Sequence, residues 1–157
     1  MKKVLLIAIC SLLISTGCSN NSNNINNNEI NNPTSEVNEN KENEIKVPDI
    51  KVLVNDKTYT LKLENNKTVE EFINLLPQEF TMSELNGNEK YVYMDNSLTT
   101  NSYKPKNIEK GDVMLYGDNC LVIFYKSFDI SYSYTKIGHI DNLENLGNGS
   151  ITAKFKK

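Results

Sequence analysis

The chain has 157 residues, with 17 basic and 20 acidic side chains and a formal net charge of −3. That length suits one domain plus extensions, and the acidic balance excludes a general nucleic-acid binder, which needs a basic surface. Every basic side chain other than His139 is a lysine; arginine and tryptophan are absent, and three cysteines and one histidine leave too few soft ligands for a zinc centre.

The N-terminus reads as a targeting segment. Lys2 and Lys3 precede an almost wholly apolar run, Val4 to Ile14. Such a run reaches about 16 Å as a helix, half of a hydrocarbon core of about 30 Å. It therefore predicts a signal peptide over residues 1–17 rather than a transmembrane helix. Ser15-Thr16-Gly17-Cys18 follows, small residues leading to a thiol. It resembles the bacterial lipobox, with Ser15 where leucine is more usual. The resemblance implies cleavage before Cys18 and acylation of its thiol by a fatty acid such as palmitate. The expected product is a lipoprotein anchored in the cell membrane, its folded part on the extracytoplasmic face. With Cys10 removed and Cys18 lipidated, only Cys120 remains, so the mature chain has no intramolecular disulfide. Loss of Lys2 and Lys3 leaves 15 lysines against 20 acidic groups, a net charge of −5.

Residues 18–47 form the lipidated cysteine and a tether rich in Asn, Ser and Glu, with no aromatic residue. Such a composition buries too little apolar surface to offset the entropy of ordering. A coil of this length spans roughly 30 Å on average.

The domain spans residues 48–157 and holds all eight tyrosines and all five phenylalanines. Ile50, Val52 and Val54 alternate on one side of a strand, as do Tyr59, Leu61 and Leu63 on the next, with Asn55-Asp56-Lys57 as the turn between them. Thr68 with Glu71 forms a capping box. Val69, Phe72, Ile73 and Leu76 then make a helical stripe, stopped by Pro77. Further strands are expected at Phe80–Leu85, Tyr91–Met94, Val113–Tyr116, Leu121–Tyr125, Tyr132–Ile140 and Ile151–Phe155. Asp141–Leu146 suggests a second short helix. Leu121 to Tyr125 reads as a central strand buried on both faces. Many short strands with one or two short helices predict a mainly β domain closed into a barrel.

Three stretches carry a family resemblance: Gly111 to Gly117, Leu121 to Phe128 and Tyr132 to Ile140. With Phe72-Ile73-Asn74-Leu75-Leu76-Pro77, they are similar to the bacterial cyclophilin-like family of small domains over about Ile50 to Lys157. The resemblance implies a closed cyclophilin-like β-barrel of about eight strands capped by two helices. It implies no single activity.

Cyclophilins proper are prolyl isomerases that use an arginine to polarise the amide, with a glutamine, aromatic groups and a histidine around it. Anchored on Gly111-Asp112, the glutamine position falls on Glu109, an aromatic on Lys106 and the arginine on Asn101. No register supplies an arginine, and a lysine lacks its planar, forked donor set. Standard isomerase chemistry is therefore not expected, and no catalytic residue is assigned.

The candidate ligand-binding residues are Phe124, Tyr125, Tyr134 and His139. Tyr125, Tyr132 and Tyr134 pair an apolar ring with a hydroxyl, which suits a peptide or small ligand and equally suits cross-strand packing. His139 lies in the same stretch as Tyr134, Lys136 and Ile137 and reads as either a pocket group or a structural one. Asp112 reads better as a turn-closing carboxylate than as a general base. Cys120 reads as a buried small hydrophobe, and Ser127 and Ser133 lack a nucleophile-elbow context. The expectation is a membrane-tethered, non-catalytic binding module without cofactor or metal. An atypical isomerase or other enzyme, and an adaptor that binds a partner through a sheet edge, are the alternatives.

Overall fold

The computed structural model describes residues 47–157; the expected signal segment, Cys18 and the expected tether as far as Lys46 lie outside them. The described chain opens with the expected hairpin, β1 (Ile50–Val54) and β2 (Lys57–Leu63). Asn55 and Asp56 link the strands, both at positive φ. Two consecutive left-handed residues match the right-handed twist of the flanking strands, and Asn and Asp tolerate that geometry best.

Helix α1 (Lys67–Asn74) follows. Its cap is Asn66, not Thr68: the Asn66 carboxamide accepts from the Val69 N–H at 3.0 Å. Thr68 lies inside the helix, buried, and its hydroxyl donates to the Thr99 carbonyl. Glu71 does not reach back to the helix start. Its carboxylate accepts from the backbone N–H and hydroxyl of Thr99, so a distant loop takes the group that a capping box would use.

The remaining strands are β3 (Gln78–Leu85), β4 (Glu89–Tyr93), β5 (Asn107–Ile108), β6 (Asp112–Tyr116), β7 (Cys120–Phe124), β8 (Phe128–Asp129), β9 (Thr135–Ile140) and β10 (Ile151–Lys156). Eight of the ten close an antiparallel barrel in the order β1-β10-β3-β4-β7-β6-β9-β2, while β5 and β8 pair as a separate ribbon. The barrel expected from the sequence, with one or two short helices, is therefore present, with one helix among the described residues. Asp141–Leu146 is irregular because Asn142 takes a left-handed φ of 55°, which interrupts any helical run. Its Leu143 nevertheless packs into the core. The strand expected from Tyr132 starts only at Thr135; Tyr132 is 61% exposed, and Tyr134 makes an isolated bridge to Tyr103.

Inward-facing Val52, Leu61, Val113, Leu121, Ile137 and Phe155 fill the barrel, and α1 adds Val69 and Phe72 to the same cluster. Phe72 meets Phe155 edge-on at 5.5 Å. Val47, read as the last residue of the tether, packs against this cluster. Each such buried side chain contributes about 1.5–3 kcal/mol, against about 0–1 kcal/mol for an exposed ion pair, so apolar burial holds the domain together.

A bulge shapes β9. Val113 faces Gly138 but Met114 faces Lys136, leaving Ile137 as the extra residue. Across it Ile137 and Ile140 both point inward, while Lys136 and His139 are half-buried outside. Gly138 sits where a Cβ would collide with the Lys62 carbonyl.

A second apolar cluster lies on the outer face of β6 and β7, made by Ile108, Met114, Cys120, Val122, Phe124 and Tyr134. Phe128 and Ile130 pack against it. Strand β7 is thereby buried on both faces, as its unbroken apolar run predicts.

Candidate functional site

The outer cluster is not fully covered. Between the β3–β4 turn and the segment leading into β9 it opens into a pocket of about 340 Å³. The pocket's composition follows from the period of two in β4. Glu89, Tyr91 and Tyr93 pair with Phe124, Val122 and Cys120, so all three stand on the outer face. Tyr116 arrives from β6, and Tyr132 and Tyr134 from the chain before β9. Five of the eight tyrosines thus line one pocket, over a floor of Val122 and Cys120. Their rings brace one another: Tyr91 meets Tyr93 at 6.0 Å, and Tyr116 meets Tyr132 at 6.2 Å and Tyr134 at 5.5 Å. Such spacings suit edge-to-face aromatic pairs.

Glu89 is the anomaly of this wall. It is 8% exposed, and burial with the Glu84 carboxylate pushes it up to about 7. Among the described residues no hydrogen bond or ion pair holds its carboxyl group; the enclosed polar atom left without a partner is the neighbouring Asn88 Oδ1, so the Glu89 oxygens open to the cavity. Burial, reinforced by Glu89, raises the Tyr134 hydroxyl to about 12 and also raises the Cys120 thiol. Cys120 therefore stays a thiol at neutral pH, which argues against a nucleophilic role.

The neighbouring residue does the opposite. Lys90 points into the barrel, fully buried, and donates to Glu84 Oε2 and to the carbonyls of Gly147 and Gly149. The Tyr125 hydroxyl donates to the same Glu84 oxygen at 2.6 Å, and the Lys90 ammonium lies 4.9 Å from the centre of its ring. These bonds draw Glu84 below the usual carboxylate range despite its burial.

A third arrangement surrounds His139. Its Nδ1 lies 3.0 Å from Asp112 Oδ1, and the Lys136 ammonium lies 3.3 Å from that oxygen. Asp112 Oδ2 accepts from the Glu109 N–H, closing the turn. Gly111, at φ +106°, brings the backbone against the His139 ring. The Ser127 hydroxyl accepts from the Lys110 N–H, and among the described residues His139 has no serine or cysteine partner.

The four residues expected to bind a ligand do not converge. Tyr134 lines the pocket. Phe124 lies beneath it, fully buried, with its ring 5.6 Å from Tyr134. Tyr125 faces the barrel interior and the Lys90–Glu84 pair, while His139 belongs to the Asp112 cluster. Sequence reasoning missed Glu89, Tyr91, Tyr93 and Tyr116. The first three share the parity of a single strand, a signal that a strand start at Tyr91 leaves incomplete. Glu109, Lys106 and Asn101, at the cyclophilin catalytic positions, are all exposed.

Fold and site together define a small closed-barrel domain with an aromatic pocket on its outer face. The model of the cyclophilin-like family matches residues 52–156, two thirds of the chain, and the chain belongs to that family. No curated protein and no solved structure matches it.

Proposed function

We propose that this protein is a lipid-anchored, extracytoplasmic binding module that holds a peptide segment or small ligand in the tyrosine pocket. The carrying observation is the convergence of five tyrosine rings on one open cavity above a buried apolar floor. Aromatic walls with few polar groups are the usual make-up of a ligand site. In this reading Tyr134 contacts the ligand and Phe124 supports it from below, while Tyr125 and His139 stabilise the domain. Catalysis of the standard prolyl-isomerase kind lacks its arginine. A sheet-edge adaptor has less support, since each barrel strand is paired on both sides.

The test uses the full-length chain in detergent with isotope-labelled tyrosine rings, titrated with proline-containing peptides and followed by NMR. The expected result is movement of the Tyr91 and Tyr134 ring signals without acceleration of proline cis/trans exchange. Acceleration well above the uncatalysed rate overturns the non-catalytic reading. Silence at every pocket ring for peptides and small molecules alike overturns the binding reading.

A further inference from the structure

Resting on that reading, we propose that the pocket selects a ligand carrying a primary ammonium group, seated with its N–H donors on Glu89 and its carbon stem between the tyrosine rings. Two independent features of the pocket lead there. One is Glu89, a residue more than nine-tenths buried that lines the cavity and whose carboxyl group takes no donor from any described residue. A carboxyl group opening into a largely aromatic cavity favours a ligand that brings hydrogen-bond donors. The other is the wall: the faces of Tyr91, Tyr93, Tyr116, Tyr132 and Tyr134 carry negative quadrupole charge and attract cations.

The chain's own cations are engaged elsewhere. Lys90, next in sequence, is committed to the barrel interior by three hydrogen bonds, and no lysine lines the pocket. The pocket therefore presents an acceptor and cation-attracting ring faces that no cation of the described chain fills. Anionic ligands are disfavoured, since Glu84 and Glu89 already repel one another. A quaternary ammonium satisfies the rings but offers Glu89 no donor. A primary ammonium satisfies both.

A free alkylamine and a lysine side chain present the same chemistry, and one titration separates them. The labelled full-length chain is mixed with n-butylammonium, tetramethylammonium, n-butanol, a Gly-Lys-Gly peptide and its norleucine counterpart. The expected result is movement of the pocket tyrosine signals by butylammonium, with butanol and tetramethylammonium weaker by about tenfold or more. Glu89→Gln, which keeps the shape and removes the charge, should weaken butylammonium by a similar factor. Tyr132→Leu, at an exposed position, should weaken it without altering the fold. Tighter binding of the lysine peptide than of butylammonium assigns a protein side chain as ligand; equal or weaker binding assigns a free amine. Butanol binding as well as butylammonium, or Glu89→Gln binding unchanged, overturns the ammonium assignment while leaving the pocket as a ligand site. Failure of every probe to move those rings removes both.

Discussion

Glu89 and Lys90 are consecutive residues of opposite charge that never meet. The pleat of β4 sends Glu89 outward into the tyrosine pocket and Lys90 inward, where it holds Glu84 and two carbonyls of the loop before β10. One buried ionisable group is saturated with partners and the other has none among the described residues.

The saturated member is testable by deletion. Lys90→Met keeps most of the volume but leaves Glu84 and the Gly147 and Gly149 carbonyls without their donor. Breaking a buried pair in this way should cost about 3–5 kcal/mol. Lys57→Met, which removes an exposed pair with Glu144, should leave the midpoint almost unchanged. Urea unfolding midpoints of the two variants make the comparison.

The partnerless member makes stability fall with rising pH. Glu89 has a folded value of about 7 against an ordinary value of 4.5, raised first by burial and then by Glu84. Between those values the folded state holds the extra proton, so its stabilisation is full below about 4.5 and lost as pH rises through about 7. The groups near Glu89 that titrate, Cys120 and Tyr134, are both pushed upward, and Glu84 is lowered, so its effect belongs to more acidic solution. The loss should amount to about 3 kcal/mol at most. Glu89→Gln should flatten the profile, measured as denaturation midpoint against pH.

The same proton should govern ligand uptake. An ammonium ligand prefers the carboxylate, so binding should strengthen as pH rises through about 7 and should release a proton. Calorimetry in buffers of different ionisation enthalpy counts that proton. Glu89→Gln should remove both the pH dependence and the release.

Gly111 is the backbone's tightest point beside His139. Alanine there meets the Ile140 carbonyl and must also hold φ +106°. The expected cost is about 3 kcal/mol or more. Gly117→Ala, at φ +61° in open space, should cost about 1–2 kcal/mol. Thermal midpoints distinguish the two.

Much of this architecture is legible in the chain. The first hairpin is legible because alternation and the Asn55-Asp56 turn agree, and β7 because five consecutive apolar residues suit only a strand covered twice. The helix start is misread because Thr68 and Glu71 satisfy a local rule, whereas Asn66 is the cap and Thr99, far along the chain, claims Glu71. Asn142 ends the second helix through a backbone conformation that its neighbours do not announce.

The pocket was only partly legible for a similar reason. Phe124 and Tyr125 look like one aromatic group, yet adjacent strand residues must face opposite ways, and Tyr125 goes inward to Glu84. His139 shares its side with Lys136 only because a bulge shifts the register. That Glu89 lacks a partner depends on everything around it in space.

The proposed anchoring rests on residues outside the described structure. Cys18→Ser should abolish incorporation of labelled palmitate and leave the signal segment attached, seen as a larger species on a gel. Retention of the label would refute lipidation at Cys18.

The gathering of tyrosines has an optical consequence. With no tryptophan to drain excitation energy, ultraviolet emission comes from eight phenols, five of them around one cavity. The protein carries its own reporter: whatever enters the pocket or changes the charge of Glu89 should alter the glow of most of its emitters, with no dye attached.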